Sequence, residues 1–150
     1  MKRIASIAVL ARLTCAAGAA LAHDDAYRDT QKAPKGGQLR MAGPNHYELV
    51  LVKDAKEAKE NPVVVYVTDH AGQKISTAGA AGTATILAGK LKGAATLKPD
   101  GDNRMKGVAR YASTPGTKVV VSITLAGKQA EQARFTPLAV AKDTHTDHTH

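Results

Sequence analysis

The last nine residues of the chain, "KDTHTDHTH", carry three of its six histidines, at His145, His148 and His150. Imidazole nitrogens are ligands for copper, zinc and nickel, and short His-rich tracts are typical metal-binding segments. Asp143 and Asp147 add carboxylate oxygens to the same stretch. An unstructured tail loses conformational entropy when it wraps an ion, so we expect moderate affinity and poor selectivity. The alternative is a frayed terminus whose histidines have no function.

A second candidate is the pair His46 and His70, at the ends of two segments with strand-like alternation. If these segments form a hairpin in which Lys53 faces Val63, His46 lies directly opposite His70. Directly opposed side chains have Cβ atoms about 5 Å apart, close enough for two imidazoles to share one metal ion. The alternative is that both are exposed histidines at strand ends. Two nearby side chains are candidates for a third ligand: Met41 and Glu48.

Residues 1–22 have the pattern of a cleaved export signal. A positively charged start precedes a short apolar core at 4–11, and small residues precede a cleavage point after Ala22. The apolar core is too short to span a bilayer. The only cysteine, Cys15, lies in this segment, so the exported chain has no disulfide. We therefore expect an exported protein with no membrane span, in a bacterial periplasm.

Cleavage after Ala22 makes His23 the first residue. Its free α-amino group and imidazole together chelate Cu(II), and a second histidine would complete a histidine brace, as in copper carriers and oxidative copper enzymes. A polar leader over residues 23–37 argues against a preorganised site at this terminus. A copper redox enzyme built on His23 remains an alternative function.

Charge and composition exclude several other classes of protein. The formal charge of +8 falls to +5 when the three basic residues of the signal are removed. With one Phe, no Trp and no basic run interleaved with aromatic residues, the chain lacks the pattern of nucleic-acid binding. No nucleophile elbow, phosphate-binding glycine loop or zinc-protease helix is present in the sequence. Asp69 beside His70 is more typical of a turn than of an acid–base pair, so we predict no enzyme.

The body of the chain has the two-residue hydrophobic period of β-strands. Turn signals rich in Gly, Pro and Asp separate the segments, and 53–62 is expected to be an exposed loop. We predict an all-β fold, an immunoglobulin-like antiparallel β-sandwich of about seven to eight short strands over residues 38–138, followed by a His-rich tail at 139–150. The expected strands are 38–42, 46–53, 63–69, 82–88, 93–98, 104–111, 117–125 and 132–138.

Two stretches, "GGQLRMAGPNHYELVLV" (36–52) and "VYVTDHAGQKISTAGAAGTATI" (65–86), have a strand-and-turn rhythm that resembles a known group. It is similar to small exported immunoglobulin-like proteins of the FixH/YtkA-like group and of the CopC-like copper-tolerance group. The resemblance covers about residues 36–138. It implies copper binding through an N-terminal histidine, further histidines and a methionine-rich stretch. His23 matches the first feature, whereas no methionine-rich stretch is present.

We therefore expect an exported, monomeric protein that binds a transition-metal ion, with copper first and zinc or nickel next. It would buffer, sequester or pass on the metal, and an envelope metal-efflux component is the candidate protein partner. The leading alternative is a metal-free immunoglobulin-like module that docks on another envelope protein through a sheet edge.

Overall fold

The computed structural model describes residues 33–139, which form eight antiparallel strands. Within these residues there is no helix, and so none long and apolar enough to cross a bilayer. The predicted all-β class is confirmed, and each predicted strand is present. The strands at 38–42 and 104–111 have the predicted ends, and the other six differ from the prediction by up to four residues at an end. The strands are β1 (Gln38–Ala42), β2 (Asn45–Leu51), β3 (Lys59–Asp69), β4 (Ala81–Ala88), β5 (Leu91–Pro99), β6 (Arg104–Tyr111), β7 (Lys118–Thr124) and β8 (Ala130–Phe135).

The strand order is β1-β2-β3-β6-β5-β4-β7-β8. An immunoglobulin domain has strands A, B, E and D in one sheet and C, F and G in the other. The eight strands form one hydrogen-bonded sheet. If β2 to β8 are taken as A to G, its order gives the strands of both immunoglobulin sheets in succession, and β1 is an extra strand beside β2. β5 pairs with β4 over most of its length and with β6 at Lys98–Lys106 and Pro99–Met105, so it joins the two sheets.

The core lies between the two sheets and is built from the inward-facing residues of each strand. In β2 these are Tyr47, Leu49 and Leu51, as the alternation predicts. Burying aliphatic side chains of this size stabilises the fold by about 1.5–3 kcal/mol each. The largest members are Tyr47, Tyr111, Leu49, Ile86, Leu97, Met105, Ile123, Val63, Val65, Val67, Val119 and Val121.

The predicted loop at 53–62 is shorter than expected, because β3 begins at Lys59. Its first residues pair only with β6, and Pro62 lies opposite Val108. β2 has already ended at Leu51, so β3 has one neighbour at this point and a proline is tolerated.

The edges of the two sheets lie beside each other. The backbone N–H of Thr136, just after β8, donates to Oε1 of Gln38 at the start of β1 over 2.8 Å. This contact links the first and last strands of the order.

Candidate metal site

The structure brings His46 and His70 into contact. Their ring centroids are 4.7 Å apart, and the ring planes are at 87°, an edge-to-face arrangement. His46 lies in β2 and is directly opposite Thr68 of β3, and His70 follows the end of β3. The two histidines are therefore diagonal neighbours on one face of the sheet.

The predicted register of this hairpin is wrong by two residues. Leu51, rather than Lys53, is the partner of Val63. Because side chains alternate with a period of two, a slip of two residues leaves every side chain on its original face. The predicted proximity of the two imidazoles thus survives the error in register.

The two histidines differ in exposure. His46 is 8% exposed, whereas His70 is an exposed residue of the turn after β3. Sequence alternation correctly places His46 on the outer face of β2, away from Tyr47, but does not reveal that this face is covered. One imidazole is therefore held by its surroundings, and the other has room to change rotamer.

The turn that carries His70 is fixed by Asp69. Oδ1 of Asp69 accepts hydrogen bonds from the backbone N–H groups of Ala71 and Gln73, both over 2.9 Å. Gly72 has φ +80°, a conformation that favours glycine. The carboxylate of Asp69 thus organises the turn, as the sequence predicts, and positions His70.

The carboxylate of Glu48 is engaged in hydrogen bonds with the segment that precedes β1. Its Oε2 accepts hydrogen bonds from the backbone N–H groups of Lys35 (2.8 Å) and Gly37 (3.0 Å), and the residue is 4% exposed. Ligation of a metal by this carboxylate would break both bonds. Glu48 instead anchors residues 33–37, the end of the predicted leader, over the outer face of β2.

Met41 lies directly opposite His46 across the β1–β2 pair and is half-buried. Opposed residues in a sheet project to the same face with Cβ atoms about 4.5–5.5 Å apart. Met41 therefore projects to the same face as His46, and its thioether together with imidazole is a donor set that suits copper.

The histidine pair lines a cleft of about 610 Å³. Its walls come from the turn before β1, the outer faces of β2 and β3, the turn after β3 and the loop between β5 and β6. The side chain of Asn103 fixes that last loop by donating from Nδ2 to the carbonyl oxygen of Val67 over 3.0 Å. The cleft is thus built from segments held by hydrogen bonds to the central strands.

Charges of both signs line the cleft, and some of them are paired. Nη2 of Arg104 lies 2.7 Å from Oδ2 of Asp100. Nε of Arg104 also donates a hydrogen bond to the backbone carbonyl oxygen of Asp100 over 2.8 Å. The hydrogen bond to Tyr66 and the charge of Asp100 raise the pKa of Arg104 above its usual value. Nζ of Lys35 lies 5.3 Å from the centroid of the Tyr66 ring.

The donor set of this site contains two imidazoles. Among residues 33–139 no group of three or more His, Cys, Asp or Glu side chains is poised to hold a metal ion. The separation of 4.7 Å is that of an edge-to-face ring contact, so a metal ion shared by both imidazoles requires one of the rings to turn.

The other predicted ligands, His23, His145, His148 and His150, lie outside the described residues, as does the export signal. The described chain stops at Ala139, which lines a small cavity together with Lys53 and Ser113. Lys53 follows β2, so this cavity is at the end of β2 opposite His46.

Fold and site together define a small all-β domain of eight antiparallel strands with two contacting imidazoles at a surface cleft. Comparison with protein-family models, with curated proteins and with solved structures gave no significant match to this chain.

Proposed function

We propose that this protein is an exported binder of a transition-metal ion, with copper first and zinc or nickel next. It buffers or sequesters the ion, or passes it to an efflux component of the bacterial envelope. The observation that carries the proposal is the contact between His46 and His70 at 4.7 Å. The metal is cargo, and no catalytic step is required.

The difference in burial between the two histidines suits capture and release. In the edge-to-face contact, the edge of one ring points at the face of the other. For both rings to direct a nitrogen at one ion, the exposed His70 turns about its side-chain torsions while His46 stays in place. A third donor from Met41 would favour copper over zinc and nickel, because the thioether is a soft sulfur ligand that copper prefers.

The His-rich tail supplies a second, weaker site. Its three histidines at His145, His148 and His150 would serve for capture at high metal concentration.

Titration calorimetry with Cu(II) and Zn(II) tests the proposal. The unaltered chain is compared with a chain ending at Thr144, with His70→Ala and with a control variant. We expect tight binding of one equivalent in the first two, and its loss in His70→Ala. Gln73→Ala, a change of an exposed side chain in the same turn, is the matched control and retains binding. If neither metal binds the unaltered chain below the millimolar range, the metal function is wrong.

The alternative of a metal-free interaction module is favoured by a different observation. Val108 is 53% exposed on the outer face of β6, and Leu87 and Leu91 are exposed beside the β4–β5 turn. Contiguous exposed apolar side chains mark docking surfaces, and Leu87 and Leu91 lie on either side of one turn. This alternative predicts that no metal binds and that the tail can be removed without effect.

The third candidate, a copper redox enzyme, depends on His23. It requires a homogeneous N-terminus at this residue, and mass spectrometry of the exported protein tests that requirement. An N-terminus at any other residue removes this candidate.

A further inference from the structure

The cleft beside the histidine pair is much larger than a metal ion needs. Its volume is about 610 Å³, whereas a water molecule occupies about 30 Å³ in the liquid. Clefts of about 300–1,000 Å³ are typical of sites for small organic molecules. The volume therefore leaves room for a ligand that includes more than the ion.

The protein also supplies too few donors to complete a coordination shell. Zn(II) and Cu(II) ions take four or more ligands, and the cleft offers two imidazoles, with Met41 opposite one of them in the β1–β2 pair. The nearby carboxylates of Glu48, Asp69 and Asp100 are each engaged by backbone N–H groups or by Arg104. Asp102 also lines the cleft, but among residues 33–139 no group of three or more His, Cys, Asp or Glu side chains is placed to hold a metal ion. At least one coordination position thus remains for a ligand that the protein does not provide.

Two lysines of the cleft are placed to receive a negative charge. Lys35 lies beside Tyr66, and Lys74 pairs with Thr68 in an isolated bridge, next to the turn that carries His70. The formal charges of the lining acids and bases balance, so a bound divalent ion leaves an excess positive charge. A small carboxylate would neutralise it and hydrogen-bond to the ammonium groups.

We propose that the cleft binds the metal together with a small organic carboxylate that chelates it, as a ternary complex. The imidazoles of His46 and His70 hold the ion, the carboxylate ligand fills the remaining positions, and Lys35 and Lys74 hold its free oxygens. This inference rests on the proposed function, because it names the form in which the metal is bound. Hydroxycarboxylates such as citrate and amino acids such as L-histidine share the required chemistry.

Native mass spectrometry and calorimetry of the full chain test the proposal. To silence the tail, His145, His148 and His150 are replaced by Ala. The added species are Cu(II) alone, Cu(II) with one equivalent of citrate, and Cu(II) with one equivalent of L-histidine. We expect a species with one copper and one carboxylate per chain, absent in His70→Ala. The mixture in which this ternary species forms, with citrate or with L-histidine, identifies the carboxylate that the cleft accepts.

The double variant Lys35→Ala/Lys74→Ala distinguishes binding of the metal–carboxylate complex from binding of the ion alone. We expect it to bind the preformed complex about tenfold more weakly, as the loss of charge-assisted hydrogen bonds predicts, and to bind Cu(II) alone at least as well as before. Lys92→Ala/Lys118→Ala, two exposed lysines outside the cleft, is the control with the same change in charge.

Three results would overturn the inference. In the first, the carboxylates remove copper from the protein. In the second, the protein binds copper but not the carboxylate. In the third, the double variant in the cleft and the control double variant weaken binding of the complex equally. In the last two cases copper still binds and the proposed function stands. Failure of Cu(II) alone to bind at the pair, with no ternary species, overturns both proposals.

Discussion

His46 contacts His70 along a diagonal of the sheet, with the directly opposed position taken by Thr68. Diagonal neighbours lie farther apart than opposed ones, and only long or aromatic side chains bridge the distance. Two imidazoles meet this requirement, whereas alanine or serine at either position would leave a gap. The contact thus depends on the size of both rings as well as on their placement.

Replacement of His70 by Ala should separate metal binding from stability. The side chain is exposed, so we expect a loss of less than about 1 kcal/mol in the free energy of unfolding, from the ring contact alone. Metal that binds only the folded state raises the melting temperature. Zn(II) should therefore raise it in the unaltered protein and in Gln73→Ala, but much less in His70→Ala. Equal shifts in all three proteins would place the metal elsewhere.

Glu48→Ala should release the chain before β1. The change leaves the N–H groups of Lys35 and Gly37 without their acceptor, at a cost of about 1–3 kcal/mol. Hydrogen exchange at these two amides should accelerate. Glu48→Gln keeps an oxygen at the same place and should protect them largely as before. Unchanged exchange in Glu48→Ala would mean that other contacts hold this turn.

Asp69→Ala should loosen the turn that positions His70. Two backbone donors, of Ala71 and Gln73, lose their acceptor, and we expect a loss of about 1–2 kcal/mol of stability. Metal affinity of the body should fall several-fold, as measured by calorimetry. Asp69→Asn retains Oδ1 and is the matched control. If both variants bind metal normally, the turn does not position the ligand.

Gly93→Ala should be strongly destabilising because β5 and β6 approach closely. A Cβ at this position would lie 2.6 Å from the carbonyl oxygen of Arg110, a backbone atom that cannot move without shifting the strand. We expect a loss of about 1–3 kcal/mol, measured by urea unfolding. Gly116→Ala, where a Cβ meets nothing within 4 Å, should be neutral or slightly stabilising. Similar stabilities for the two variants would contradict the packing of β5 on β6.

Alkaline pH should reveal the burial of Tyr47. Burial, with a further contribution from the charge of Glu131, raises the pKa of this phenol to about 12. An unfolded chain ionises the phenol near pH 10. The stabilising effect is therefore complete below pH 10 and is lost as the pH rises from 10 through 12, by roughly 2–3 kcal/mol.

Unfolding followed by circular dichroism across this range tests the assignment. Tyr47→Phe removes the ionisable group and should lose less stability between pH 10 and 12 than the unaltered protein. Tyr66→Phe, at a half-buried position on the outer face, is the control. Parallel curves for the unaltered protein and Tyr47→Phe would assign the alkaline loss to other groups.

The parts of this structure that sequence predicts well are those determined by alternation. Tyr47, Leu49 and Leu51 face the core as expected, because a period of two fixes the face of each residue. Alternation does not fix register, since a slip of two residues satisfies it equally. The hairpin of β2 and β3 shows this, with Leu51 instead of Lys53 opposite Val63.

The local sequence pattern does not predict that residues 33–37 cover the outer face of β2. Glu48 alternates as an exposed residue would, and the stretch before β1 is polar, so both suggest exposure to solvent. Their association depends on hydrogen bonds between residues thirteen and eleven positions apart, from Lys35 and Gly37 to Glu48. Hydrophobic alternation carries no information about such a pairing. The sequence therefore predicts neither the burial of His46 nor the cleft beside it.

The contact between Gln38 and Thr136 has a consequence for self-association. Unpaired outer strands act as templates on which another chain extends a sheet, which is how many β-proteins form fibrils. Here the two outermost strands, β1 and β8, are turned toward each other, so each partly shields the other from an incoming segment. The domain thus limits its own polymerisation through the position of its first and last strands.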